Sequence, residues 1–166
     1  LKNQTVTING VSKCYAMTGW RIGYAGGPKE IIRAMKTIQS QSTGNPCSIS
    51  QIAAIAALNG DQSCIQEMNV AYQDRNNFLV EALNTIPGFE CKKADGAFYA
   101  FPKAIDAIIQ KGLRDDVALV GLILKETGVA MVPGTPFGAP GYIRLSFACS
   151  KENLIEAIDR IKRILI

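Results

Sequence analysis

The chain has 166 residues, 48% of them hydrophobic and 19% charged, with 18 basic against 14 acidic side chains and a net charge of +4. The charges are scattered, which argues against a nucleic-acid-binding stripe, and the length suits one core or a small domain joined to part of another. Histidine is absent, which excludes Ser-His-Asp and Cys-His catalysis and histidine-based metal sites.

The five cysteines, Cys14, Cys47, Cys64, Cys91 and Cys149, show no C-x-x-C spacing and read as reduced thiols in or near a core. No apolar run reaches membrane-spanning length and no charged-then-apolar leader opens the sequence, so the expected compartment is the cytoplasm. The first residue is Leu1, and an extended stretch follows almost at once; the sequence reads as a piece of a longer protein.

In chain order, residues 5–9 (TVTIN) alternate and are β-branched, the pattern of a strand. Residues 21–25 (RIGYA) read as a second short strand, closed by Gly26-Gly27-Pro28, with Pro28 as the first position of a helix over residues 29–41. Ile31, Ile32, Met35 and Ile38 keep helical spacing there, and Gly44-Asn45-Pro46 ends the run. Ser48 is placed to cap a further helix to residue 58, rich in Ala and Ile and expected to be buried on several faces. Asn59-Gly60 stops it, and Asp61 opens a long helical pattern to about residue 85, roughly 35 Å at 1.5 Å per residue.

Beyond Pro87-Gly88 the pattern becomes α+β. Residues 89–93 and 97–101 read as paired strands joined through Asp95-Gly96. A helix over residues 117–126 follows Asp115-Asp116 and ends at Gly128. Residues 129–132 read as a strand, 133–141 (PGTPFGAPG) as a loop and 142–148 as a strand. Ser150 starts a last helix with Leu154, Ile158, Ile161 and Leu165 in one stripe.

Three side chains stand out chemically. Lys13 follows the first strand, at the end where open α/β sheets place ligand-handling groups, and a lysine amine suits Schiff-base chemistry. The alternative is an ordinary solvated lysine. Arg21 lies among Trp20, Ile22 and Tyr24, a setting that calls for an anionic partner: a phosphate or carboxylate ligand, or an internal Asp or Glu. Arg144 interrupts the apolar strand YIRLSFA and by alternation shares a face with Tyr142 and Ser146. None of the glycine-rich loops fits a Walker or dinucleotide pattern.

Together these residues resemble the fold-type I pyridoxal-phosphate aminotransferases, in particular the class I group that includes the aspartate aminotransferases. GVSKCYAMTGWRIG, residues 10–23, fits the lysine signature of that family. Asn45-Pro46, GAFY (96–99), PGTPFG (133–138) and IRLSFA (143–148) follow in the family's order, so the resemblance covers essentially the whole chain.

The resemblance implies an α/β fold. Residues 1–70 would be the C-terminal part of the large cofactor domain, and residues 71–166 a small α+β domain. It implies that Lys13 binds pyridoxal 5'-phosphate covalently and shuttles the proton between substrate α-carbon and cofactor C4′. Arg21 would hold the cofactor phosphate, and Asn45 would lie near the phosphate site of the adjoining subunit of a homodimer. Arg144 would clamp the substrate α-carboxylate, with Phe98 in the pocket wall. No metal is implied. The implied activity of the parent enzyme is transamination between an amino acid, aspartate foremost, and a 2-oxo acid.

Two positions depart from relatives: Gly10 stands where many have a phosphate-touching serine, and Ser40 where some aspartate-specific ones have an arginine. Moreover, the aromatic that stacks on the cofactor ring, the aspartate on its pyridine nitrogen and the tyrosine on its O3′ precede the lysine in the family. They lie outside this sequence, and so do the strands with which residues 5–9 and 21–25 are expected to pair. The chain alone is therefore expected to bind cofactor poorly and to be inactive. The alternatives are a lyase or synthase of the same fold, or an aminotransferase-like ligand-sensing domain of a regulator.

Overall fold

The computed structural model describes all residues, Leu1–Ile166. They form two compact units, Leu1–Met68 and Asn69–Ile166. Helix and strand are mixed in both, and every strand pairing is antiparallel.

In the first unit, strand β1 (Thr7–Gly10) leads into a one-turn helix, α1 (Val11–Cys14), and the chain returns as β2 (Gly23–Gly26). The two strands pair with each other, Thr7 opposite Gly26 and Gly10 opposite Gly23. This corrects the expectation that both lacked partners. The intervening residues fold back so that Val11 and Ile22, at the two ends of the connection, are both buried and pack with Ala54.

Helices α2 (Lys29–Ser42) and α3 (Ser48–Asn59) follow. Pro28 and Cys47 occupy the cap positions, so α2 starts one residue later than Pro28 as first helical residue would require, and α3 one residue earlier than Ser48 as cap would. Helix α3 ends at Gly60, whose backbone is extended, and glycine suits the position because a Cβ there would lie 2.7 Å from the Ala56 carbonyl oxygen. Contrary to the expectation for an Ala- and Ile-rich helix, α3 buries only Ser50 and Ala54. Ile49 and Ile52 are 70% and 67% exposed; the core of this unit is too small to cover more than one narrow stripe of the helix. Cys14, Cys47 and Cys64 are also exposed, Cys91 is buried, and all the thiols are free. The exposed three sit at element ends, where little packs over them.

Helix α4 (Ser63–Asn84) begins in the first unit and continues into the second, whose other elements are β3 (Tyr99–Ala100), α5 (Ile105–Gln110), α6 (Asp116–Thr127), β4 (Val132–Pro133), β5 (Ile143–Ser146) and α7 (Lys151–Leu165). The sheet order is β3-β5-β4. Tyr99 lies opposite Ser146, and Val132 opposite Arg144.

The hairpin expected between residues 89–93 and 97–101 does not form. Asn84, at the end of α4, takes both backbone groups of Cys91: its Oδ1 accepts from the Cys91 N–H at 2.8 Å and its Nδ2 donates to the Cys91 carbonyl at 2.9 Å. With those groups committed, a single bridge between Glu90 and Lys103 remains, and β3 pairs with β5 instead.

The core joins Leu79 and Leu83 of α4, Leu119 and Ile123 of α6, Ile143 and Leu145 of β5, and Leu154, Ile158, Ile161 and Leu165 of α7. Each such side chain stabilises the fold by about 1.5–3 kcal/mol when fully buried. The caps match the sequence: Asp115 accepts from the Ala118 N–H at 2.8 Å, Ser150 from the Asn153 N–H at 3.2 Å, and Gly128 ends α6 at φ 71°. No helix is long and apolar enough to cross a membrane.

Candidate active site

In the first unit, residues 11–22 form a loop clasped at its base. Gly10 and Gly23 are paired, and the Val11 N–H donates to the Ile22 carbonyl at 3.4 Å. Lys13 projects from α1 and is exposed. Tyr15 steadies the same segment by donating its hydroxyl to Gln62 Oε1 at 2.8 Å.

On the returning limb, Arg21 adopts a left-handed conformation, φ 54°, which costs a non-glycine residue about 1–2 kcal/mol. This backbone turn brings its Nη1 to the Thr18 carbonyl at 2.9 Å. Of the two partners expected for Arg21, the internal carboxylate is absent: it enters no ion pair in the chain. Its neighbours Trp20 and Tyr24 are themselves exposed, and only Ile22 points inward. The rest of the guanidinium is open to an external anion. A primary amine and such a guanidinium on one clasped loop are the donor set that an aldehyde-bearing phosphate ester requires, so these residues fit pyridoxal phosphate. Asn45 lies exposed in the link between α2 and α3, directly after Gly44 at φ 73°.

In the second unit, Arg144 is half-buried on β5, between the buried Ile143 and Leu145. Its Cζ lies 4.5 Å from the Tyr99 ring centroid and 4.7 Å from that of Phe137. No protein carboxylate pairs with it. Phe98 is half-buried, its ring 4.4 Å from Tyr99 and 6.3 Å from Tyr72.

The loop that carries Phe137 is anchored by Asp116, a fully buried carboxylate. Asp116 accepts from the Thr135 N–H at 2.8 Å, the Thr135 hydroxyl at 2.7 Å and the Gly141 N–H at 3.3 Å. Burial pushes its pKa up, but these hydrogen bonds outweigh it and hold the carboxyl below the usual range. Gly134 closes the turn, since a Cβ there would collide with the Ala139 and Tyr142 carbonyls.

Lys13 and Arg21 are thus brought onto one loop, while Arg144 and Phe98 share the aromatic cluster of Tyr99. Sequence reasoning assigned no role to Tyr99, Phe137 or Asp116. The signal was present, because GAFY and PGTPFG both place an aromatic residue among glycines and Asp115-Asp116 supplies two acids where a cap needs one. No group of three or more Cys, Asp or Glu side chains is gathered to hold a metal.

The profile of the aminotransferase class I and II family matches residues 2–161. The chain belongs to that family. It is 54% identical over 171 residues to the aspartate/prephenate aminotransferase of Nitrosomonas europaea, spanning 99% of this chain and 43% of that protein. With the aspartate aminotransferase of Geobacillus stearothermophilus it shares 52% identity over 165 residues, 99% of this chain and 42% of the relative. The crystal structure of the aspartate aminotransferase from Rhizobium meliloti superposes with a TM-score of 0.93 at 44% identity, over 99% of this chain and 42% of that one. The chain therefore spans about two fifths of the length of these relatives.

Proposed function

We propose that this chain is the lysine-bearing part of a pyridoxal-phosphate-dependent aminotransferase acting between an amino acid, aspartate foremost, and a 2-oxo acid. The carrying observation is the clasped 11–22 loop, with the Lys13 amine on one limb and the Arg21 guanidinium, lacking any carboxylate partner, on the other. The names of the relatives support aspartate as a substrate.

Pyridoxal phosphate, when bound, supplies an aldehyde for the amino group and a ring that withdraws electrons from the substrate α-carbon. Lys13 would hold the cofactor covalently through its amine and, with that amine released, would carry the proton at the substrate α-carbon. Arg21 binds the phosphate with charge-assisted hydrogen bonds. Arg144 takes the substrate α-carboxylate through the edge of its guanidinium, and Phe98 contributes to the pocket wall. Asn45 stands near the phosphate site of the adjoining subunit in a homodimer. Residues 1–70 belong to the large cofactor domain and residues 71–166 form the small one. The exposed apolar side chains of α2 and α3, Ile38, Ile49 and Ile52 among them, favour burial in a larger assembly.

The test is product analysis. The full-length protein given aspartate and 2-oxoglutarate yields glutamate, and Lys13→Ala abolishes that product. Consumption of aspartate without glutamate would instead point to lyase chemistry on the same fold.

A further inference from the structure

Arg144 is a cation without a carboxylate partner, flanked by two aromatic rings. Its Cζ is 4.5 Å from the centroid of Tyr99 and 4.7 Å from that of Phe137. Both rings present their faces to the charge, and a ring face attracts a guanidinium without supplying the oxygens that its planar fork of N–H donors matches. Rings at these distances also favour the charged group electrostatically.

Each ring is fixed by a separate device. Tyr99 belongs to β3, where it pairs with Ser146 of β5, and Phe98 packs on it at 4.4 Å. Phe137 sits on the 3-10 turn Thr135–Phe137, whose first residue donates two hydrogen bonds to Asp116. Phe137 also meets Phe101 edge-on at 6.4 Å, and Phe101 stacks on Tyr142 at 5.3 Å. An aromatic chain thus runs from Tyr142 through Phe101 to Phe137 and on to Arg144. Phe137 is 51% exposed, more than a ring placed only to fill a core would be.

We propose that Tyr99 and Phe137 are positioning residues that hold the Arg144 guanidinium with its donor edge toward the substrate carboxylate. The inference rests on Arg144 being the carboxylate-binding residue. The two rings act through the arginine and touch no reacting atom. Without either ring, the arginine has more rotamers to lose on binding and its charge is less favourably placed.

The experiment is steady-state kinetics of the full-length protein with aspartate and 2-oxoglutarate. Phe137→Leu keeps bulk and removes the ring's electrostatics; it is expected to raise KM for both substrates by about three- to thirtyfold, with kcat falling by less. Phe137→Tyr is expected to restore KM to within about twofold. Tyr99→Leu repeats the test from the other ring, and Tyr99→Phe is its conservative rescue. In an Arg144→Lys background, Phe137→Leu is expected to have little further effect, because the planar fork being positioned is gone.

If Arg144→Lys leaves KM unchanged, the assignment of Arg144 as the carboxylate ligand fails, and this inference with it. If Arg144→Lys raises KM while Phe137→Leu and Tyr99→Leu do not, the positioning role alone fails. Equal damage from Phe137→Leu and Phe137→Tyr would also overturn it, showing a need for that side chain's shape and not for an aromatic face. Thermal unfolding of each variant, unchanged for Phe137→Leu, separates positioning from loss of fold.

Discussion

The carboxylate of Asp116 binds Thr135 twice, accepting from its backbone N–H at 2.8 Å and from its hydroxyl at 2.7 Å. One buried side chain at the start of α6 thereby fixes the turn that brings Phe137 beside Arg144. Asp116→Asn replaces an acceptor oxygen with a donor facing groups that themselves donate. It is expected to lower stability by about 3 kcal/mol, read as a lower urea midpoint at constant m-value. A loss below about 0.5 kcal/mol would show that the turn is held by other contacts.

The same carboxylate gives a pH dependence of known sign. Its folded pKa lies below the usual carboxylate value, so its contribution is fully present above the unfolded pKa of about 4 and is lost as pH falls through the folded value. Unfolding free energies of wild type and Asp116→Asn are expected to differ most near pH 7 and to converge as the pH is lowered below about 4. A gap that stays constant down to pH 3 would contradict this.

Gly134 is predicted to be intolerant of any side chain. A Cβ there meets the Ala139 and Tyr142 carbonyls, backbone atoms that cannot swing aside. Gly134→Ala is expected to cost about 1–3 kcal/mol and, by shifting the turn that carries Phe137, to weaken substrate binding. Gly96, where an added Cβ meets nothing, is the control: Gly96→Ala is expected to leave stability within about 0.5 kcal/mol of wild type.

Arg21→Ala is expected to weaken pyridoxal-phosphate binding to the full-length protein by about ten- to a hundredfold, measured by titration with the cofactor. Lysine at this position restores charge without the fork and is expected to fall between. Unchanged affinity in Arg21→Ala would remove the phosphate role from this residue.

Much of this was legible in the sequence because the information is local. The α7 stripe follows from 3.6-residue periodicity, the start of α7 at Ser150 and the end of α6 at Gly128 from residue type, and the family from the run around Lys13 with its ordered downstream motifs. What escaped was decided by tertiary competition. Asp95-Gly96 has the composition of a hairpin turn, yet Asn84 claims the Cys91 backbone groups and the hairpin is lost. The apolar content of α3 signalled burial, but within its small unit the helix buries only Ser50 and Ala54. The aromatic flanks of Arg144 come from segments far apart in sequence, joined by the pairing of β3 with β5 and by the Asp116 anchor. No one-dimensional pattern records that meeting.

The central claim is that the Lys13 amine holds the cofactor. Borohydride reduction of the full-length protein loaded with pyridoxal phosphate fixes the cofactor irreversibly to whichever amine carries it, and peptide mass mapping then locates the label. The predicted result is a single modified peptide containing Lys13, lost in Lys13→Ala. Label on a different lysine, or labelling that persists in Lys13→Ala, would contradict the account.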